Sequence, residues 1–150
     1  MDAIDLKILR ELQDSPGVSM VDLAAKVGLS HTPCWRRVKL LEESGAIRER
    51  AVILDPHVMG LGVTVLANIR LKAHDEDTLN AFEQAARERP EIVDCFSMGG
   101  ESDYAVRMVV ASIDAYEHLL KKVLLHFPGV AEVHSHFALK CVKNTTRLPI

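Results

Sequence analysis

Residues 20–50 read MVDLAAKVGLSHTPCWRRVKLLEESGAIRER, and this stretch decides how the rest of the chain is organised. Met20, Leu23, Ala24 and Val27 recur at i, i+3, i+4 and i+7, which predicts a helix with one buried stripe. Gly28 ends that helix, because glycine enters the left-handed region without a Cβ clash. Ser30 is placed to cap the next helix, and Pro33 falls in its first turn, where a missing N–H does no harm. In this second helix Cys34, Val38 and Leu41 share one side, facing the first. Thr32, Trp35, Arg36 and Lys39 share the opposite side at the same spacing. The pattern predicts a helix-turn-helix, followed by a two-strand basic wing over Ala46 to Leu54.

A large aromatic side chain between cations, turned away from the core, has two readings. One is a solvated basic face with a stray ring; the other, which the spacing favours, is a recognition helix entering the DNA major groove. Arg36 and Lys39 are suited to guanine edges or phosphate, while Ser30, His31 and Thr32 lie at the helix N-terminus, within reach of bases or backbone. Arg37 lies beside the apolar stripe, so a structural pairing or a phosphate contact is expected of it. Arg48 and Arg50 point away from the apolar side of the wing. They either touch phosphate or are solvent-facing charges on an exposed ribbon.

Working outward, 150 residues can bury a core as one domain or two small ones. Hydrophobic residues make up 48% and charged residues 26%, an ordinary globular balance. No apolar run approaches the ~20 residues of a membrane span and no signal-peptide layout is visible, so the cytoplasm is the expected compartment. Cys34, Cys95 and Cys141 form no C-x-x-C pair, which argues against a disulfide framework or a zinc site; each is expected as a buried small hydrophobe. Net charge is −3, yet residues 30–50 hold five basic side chains against three acidic. Such a patch is compatible with DNA but weak alone, so several copies are expected to act together.

Upstream, residues 2–13 predict a first helix with Ile4, Ile8, Leu9 and Leu12 inward, and Ser19 with Asp22 suggests a capping box for the second. Downstream, residues 55–62 (DPHVMGLG) read as a linker between a DNA-binding domain over 1–54 and a second domain over 63–143, with 144–150 as a short tail. Alternation predicts strands over Val63–Ala73, Ile92–Met98, Tyr104–Ala111 and Val130–Lys143. Helical spacing predicts a helix from Glu76 to Glu88, and another capped by Asp114 with Glu117. The order β-α-β-β-α-β is ferredoxin-like, with both helices on one face of an antiparallel sheet. Apolar residues occur on both alternations of the strands, so the open face predicts sheet-against-sheet dimerisation.

The hairpin Gly99-Gly100-Glu101-Ser102-Asp103-Tyr104 is the second informative stretch. Two glycines can present successive N–H groups as an anion nest for an α-carboxylate, with Asp103 free to meet an α-ammonium; the bland alternative is a turn made of turn residues. His134 and His136 share a strand face, but two ligands make half a zinc site, so no metal is expected. No nucleophile or phosphate-loop motif is present, and catalysis is not expected.

GLSHTPCWRRVKLLEESGAI, LDPHVMGLG, GGESDY and LLHFPGV occur in this order along the chain. Together they resemble the leucine-responsive/asparagine-regulator (Lrp/AsnC) transcription factors, with HTPC, FPGV and RLPI closest to the leucine-responsive branch. The resemblance implies an α+β chain: an N-terminal winged helix-turn-helix plus a C-terminal ferredoxin-like βαββαβ domain of the RAM type. It implies double-stranded DNA and a free amino acid as partners, no cofactor, a nucleoid-associated location, and dimers assembled into octamers or similar rings. It assigns the effector site to Gly100, Glu101, Ser102, Asp103 and Tyr104, and by position to Ser97, Met98, Ile113, His136, Phe137 and Ala138, in a pocket between dimers. That apolar lining favours leucine first, with methionine, isoleucine or valine close behind, and disfavours asparagine, whose amide would be buried unpaired. Two other classes compete: an architectural DNA-wrapping protein with incidental ligand binding, and an amino-acid enzyme or its regulatory subunit.

Overall fold

The computed structural model describes residues Met1–Ile150, in two compact units. The first comprises residues 1–53 together with 143–150, and the second residues 54–142.

In the first unit α1 spans Ala3–Asp14, α2 Met20–Val27 and α3 His31–Glu43. Asp2 starts α1 with a reciprocal capping box: its carboxylate accepts from the Ile4 and Asp5 N–H groups, and the Asp5 carboxylate accepts from the Asp2 N–H. Ser19 accepts from the Asp22 N–H, but Asp22 answers through the Ser19 hydroxyl rather than the backbone. Gly28 closes α2 at φ +77°, the left-handed exit that a Cβ would resist. Ile8, Leu23, Ala24, Val27, Cys34, Val38 and Leu41 form one buried cluster, so all three helices share a core.

The wing is not formed as expected. Residues 48–54 follow α3 with no strand pairing, and Val52, Ile53 and Leu54 are exposed. Nine residues are few for two strands and a turn, and of their apolar side chains Ile47 alone packs against the helical core, with no third strand to pair the rest. Residues 144–150, expected as a tail, return together with Lys143 to α1 within the first unit. Gln13 Nε2 donates to the Leu148 carbonyl at 3.2 Å and its Oε1 accepts from the Leu148 N–H at 2.6 Å.

The second unit contains β1 (Val63–Leu71), α4 (Glu76–Arg87), β2 (Ile92–Ser97), β3 (Tyr104–Val110), α5 (Ile113–Lys122), a short 3-10 turn (Leu124–His126) and β4 (Val130–Phe137). The sheet order is β2-β3-β1-β4 with every neighbouring pair antiparallel, the ferredoxin-like arrangement. Strands β1 and β4 are shorter than the alternation suggested. Asp75 caps α4. Ser112, rather than Asp114, caps α5 by accepting from the Ala115 N–H.

Alternation sorts the sheet into two faces. Val65, Ala67, Ile69 and Leu71 of β1 join Tyr104, Val106, Met108 and Val110 of β3 under Phe82, Ala86, Tyr116 and Leu119 of the two helices. The other face carries Leu66, Asn68, Phe96, Ala105, Arg107, Val109, His134 and His136, and nothing in the second unit covers it. Leu66 is 47% exposed and Phe96 60%. Cys34 is buried as expected, whereas Cys95 and Cys141 are exposed. For Cys95 the reason is that β2 is an edge strand with one flank open, and for Cys141 that it lies beyond the end of β4.

Candidate functional site

Helix α3 has the two faces its spacing implied. Cys34, Val38 and Leu41 are buried, while Thr32, Trp35, Arg36 and Lys39 are exposed, with Trp35 at 46%. Arg36 forms no hydrogen bond or ion pair within the chain, so its guanidinium is available to a partner. Lys39 lies 3.6 Å from Glu42, a loose exposed pairing that water and salt screen readily. Arg50 contacts the same carboxylate at 3.4 Å. Ser30 has the extended backbone of an N-cap but its hydroxyl makes no capping bond, and His31 and Thr32 beside it are exposed. Arg48 is exposed in the segment after α3.

Arg37 behaves differently from its neighbour. Its Nη1 donates to Asp2 Oδ2 and to Asp5 Oδ1, both at 2.7 Å, tying α3 to the start of α1. Hydrogen bonding to these two carboxylates holds the Arg37 guanidinium above its usual range, and the Asp5 N–H followed by Arg37 holds the Asp2 carboxyl below its own. Of the two readings open for Arg37, this is the structural pairing. The Asp2–Asp5 pair that receives it carries no signal in the periodicity.

The hairpin between β2 and β3 is anchored more firmly than a bare turn. Gly100 sits at φ +129°, a conformation reserved for glycine. The Met98 N–H donates to the Asp103 carbonyl at 2.9 Å, and the Asp103 N–H to the Ile69 carbonyl at 2.9 Å. The Asp103 carboxylate accepts from the Leu71 N–H at 2.7 Å and lies 2.8 Å from His74 Nε2. The Leu71 bond first, and His74 after it, depress the Asp103 carboxyl below its usual range. Asp103 therefore already has two partners within the chain. Glu101 is exposed and Ser102 half-buried. Tyr104 points into the core: its ring lies 4.5 Å from Phe82, and its hydroxyl donates to Glu83 Oε1 at 3.0 Å. Burial, with Glu83 behind it, pushes its phenol up to about 12.

The remaining expected effector residues lie elsewhere. Phe137 pairs with Val65 and His136 with Leu66, and the Ala138 N–H donates to the Thr64 carbonyl. Ile113 is exposed at the start of α5, just past the β3 end that pairs with Val63. All four belong to the start of β1, whereas the hairpin belongs to its end at Ile69. From Val65 to Ile69 is four residues, about 13 Å of strand. Ser97 and Met98 fall with the hairpin, as Ser97 pairs with Tyr104. One chain thus presents the two halves at opposite ends of its sheet.

A family model for the Lrp/AsnC ligand binding domain matches residues 64–148, and one for winged helix-turn-helix DNA-binding matches residues 1–48. The chain belongs to the Lrp/AsnC family. It is similar to the DNA-binding transcriptional activator DecR of Escherichia coli, at 37% identity over 100% of this chain and 99% of that one. Its fold matches an AsnC family transcriptional regulator from Agrobacterium tumefaciens with TM-score 0.93 and 43% identity, covering 99% and 97% of the two chains. A transcriptional regulator from Neisseria meningitidis, solved as its L-methionine complex, matches with TM-score 0.94 and 35% identity over 99% and 96%. The chain is accordingly an Lrp/AsnC DNA-binding transcriptional regulator with a ligand-binding domain, and not an enzyme. No helix in it is long and apolar enough to cross a membrane.

Proposed function

We propose that the chain regulates transcription by reading DNA with the outer face of α3 while an aliphatic amino acid, leucine or methionine foremost, biases its assembly. The observation that carries this reading is Arg36, unpaired beside the half-exposed Trp35 and opposite the buried Cys34, Val38 and Leu41. Arg36 and Lys39 read bases or phosphate, Ser30, His31 and Thr32 approach from the helix N-terminus, and Arg48 and Arg50 add backbone contacts. Arg37 holds the helix in place. Residues 1–54 thus supply DNA contact, and the domain from residue 63 supplies ligand and partner contact.

Dimers form when the open sheet faces of two copies cover Leu66, Phe96, Ala105 and Val109, since a patch of this kind is otherwise costly to leave in water. Two recognition helices then address half-sites roughly 34–36 Å apart, and assembly into octamers adds avidity to a module of little net charge. The effector pocket draws the hairpin from one copy and Ile113, His136, Phe137 and Ala138 from another. Their separation along β1 supports a site completed between copies. Gly99 and Gly100 offer N–H groups to the α-carboxylate. Met98, Ile113 and Phe137 offer an apolar wall, and the L-methionine held by the Neisseria relative fits that chemistry. Ligand and assembly are then reciprocally coupled.

Sizing the protein with and without L-leucine and L-methionine, beside a gel shift on DNA upstream of its own gene, tests the proposal. A change in assembly size or DNA affinity with either amino acid is expected at fixed salt. DNA binding indifferent to both would leave the architectural DNA-wrapping alternative in its place.

A further inference from the structure

Helix α1 is held at both ends by groups distant in sequence. At its C-terminal end Arg10 Nε donates to the Ile150 carbonyl at 2.9 Å, and Gln13 exchanges two hydrogen bonds with the Leu148 backbone. Arg147 Nη1 lies 2.9 Å from Asp14 Oδ1. At its N-terminal end, about 18 Å away along the axis, Asp2 and Asp5 grip Arg37 of the recognition helix. Between the ends, Ile8 is fully buried against α2 and α3, and Glu11 pairs with Lys26 of α2 at 2.9 Å. A packed helix of this kind moves as one piece, so what fixes one end constrains the other.

From these contacts we propose that Lys143–Ile150 is a positioning strap for the DNA-binding unit, acting through α1 and Arg37 on the orientation of α3. The Gln13 bonds carry most of it, because a side-chain amide matched to one backbone N–H and one C=O fixes register as a strand neighbour would. The exposed Arg147–Asp14 pair contributes little by itself. The strap also gives the chain a second covalent path between its units. The first crosses from Ile53 to Leu54. The second leaves β4 directly after Phe137 and Ala138, two of the proposed effector residues, and ends on the helix that holds Arg37. The inference rests on α3 being the DNA-reading element.

The experiment uses the full chain, a chain lacking residues 144–150, Gln13→Ala, Gln13→Glu, Arg37→Ala, and the deletion combined with Arg37→Ala. DNA affinity is measured by anisotropy on a duplex from upstream of the gene, with assembly size recorded for each variant. Deletion is expected to weaken binding about tenfold and Gln13→Ala about threefold, the scale of one or two net hydrogen bonds. Gln13→Glu, which keeps the acceptor and loses the donor, falls between Gln13→Ala and the parent. Adding Arg37→Ala to the deletion costs little more than either change alone, because both act along one route. Hydrogen exchange at the Ile4 and Asp5 amides speeds up on deletion, a signal at the far end of α1 that loss of the tail's own contacts would not produce. Full affinity in the deleted chain and in Gln13→Ala, strictly additive losses, or a loss explained by altered assembly size overturns the strap. Arg36→Ala keeps the two ideas apart: if it abolishes binding while the tail variants are silent, only the strap fails.

Discussion

The outer face of α3 and the β2–β3 hairpin are both candidate sites, and they are built in opposite ways. On α3 one helix supplies the whole surface: the residues that anchor it and the residues proposed to meet DNA alternate within a dozen positions. In the proposed pocket the hairpin supplies half a site. Its Asp103 is clamped by Ile69 at the backbone and by Leu71 and His74 at the carboxylate, and the other residues expected of the pocket sit at the far end of β1. A site carried on one element works in a single copy but weakly, while a site split across a sheet works only in an assembly. In the proposed function, affinity for DNA and response to ligand are thereby tied to the same event, the meeting of copies.

Leu66→Asp breaks this comparison most severely. A charge placed in the open face should prevent the sheets from pairing, leaving a folded monomer whose DNA affinity falls by roughly 10²-fold or more as avidity is lost. Sedimentation beside a gel shift checks it, and a dimer that survives the substitution would detach assembly from this face. Arg36→Ala and Lys39→Ala come next and sharpen the DNA side. Loss of Arg36 should cost about 1–3 kcal/mol on the cognate duplex and relax its sequence preference, whereas loss of Lys39 should weaken all duplexes alike and lower the salt slope by about one. Neither should alter amino-acid binding by calorimetry.

Asp103→Asn addresses the hairpin, with a smaller effect. The carboxylate accepts from Leu71 and faces His74, and replacing it should cost about 0.5–1.5 kcal/mol and loosen residues 99–103, read by amide exchange at Leu71 and Asp103. Because the folded Asp103 carboxyl is depressed, its contribution is complete above the ordinary carboxylate range and is lost as pH falls through the lower folded value. Wild-type protein should therefore lose stability on acidification more steeply than the Asn variant. Tyr104→Phe is the mildest change, about 1 kcal/mol from the lost Glu83 bond. Its raised phenol pKa works in the other direction: the stability it adds is complete below about 10 and is lost as pH rises through about 12. A thermal-melt series at alkaline pH checks that sign.

The two regions also differ in how far they could be read from the chain. The faces of α3 followed from helical spacing, since every residue concerned lies within one short window. The hairpin was visible as a turn, but the partners of Asp103 at Leu71 and His74 are 32 and 29 residues away, beyond any local pattern. Tyr104 belongs to a motif by its position and to the core by its ring, and burial alone separates those roles. Alternation over residues 46–54 suggested a wing, yet alternation stabilises strands only where one face is buried, and Val52, Ile53 and Leu54 bury nothing. Asp114 was expected to cap α5, but Ser112, two positions earlier and also a capping residue type, takes that place. The return of residues 143–150 to α1 had no periodic signature, because it depends on polar side chains meeting backbone groups.

Trp35 permits the most direct test of the central claim, that the outer face of α3 meets DNA. It is the sole tryptophan in the chain and is 46% exposed, so its emission reports on that face alone. Titration with the cognate duplex should quench or shift the fluorescence, saturating at the stoichiometry of the gel shift. Emission that stays unchanged while the duplex is fully bound would contradict the account.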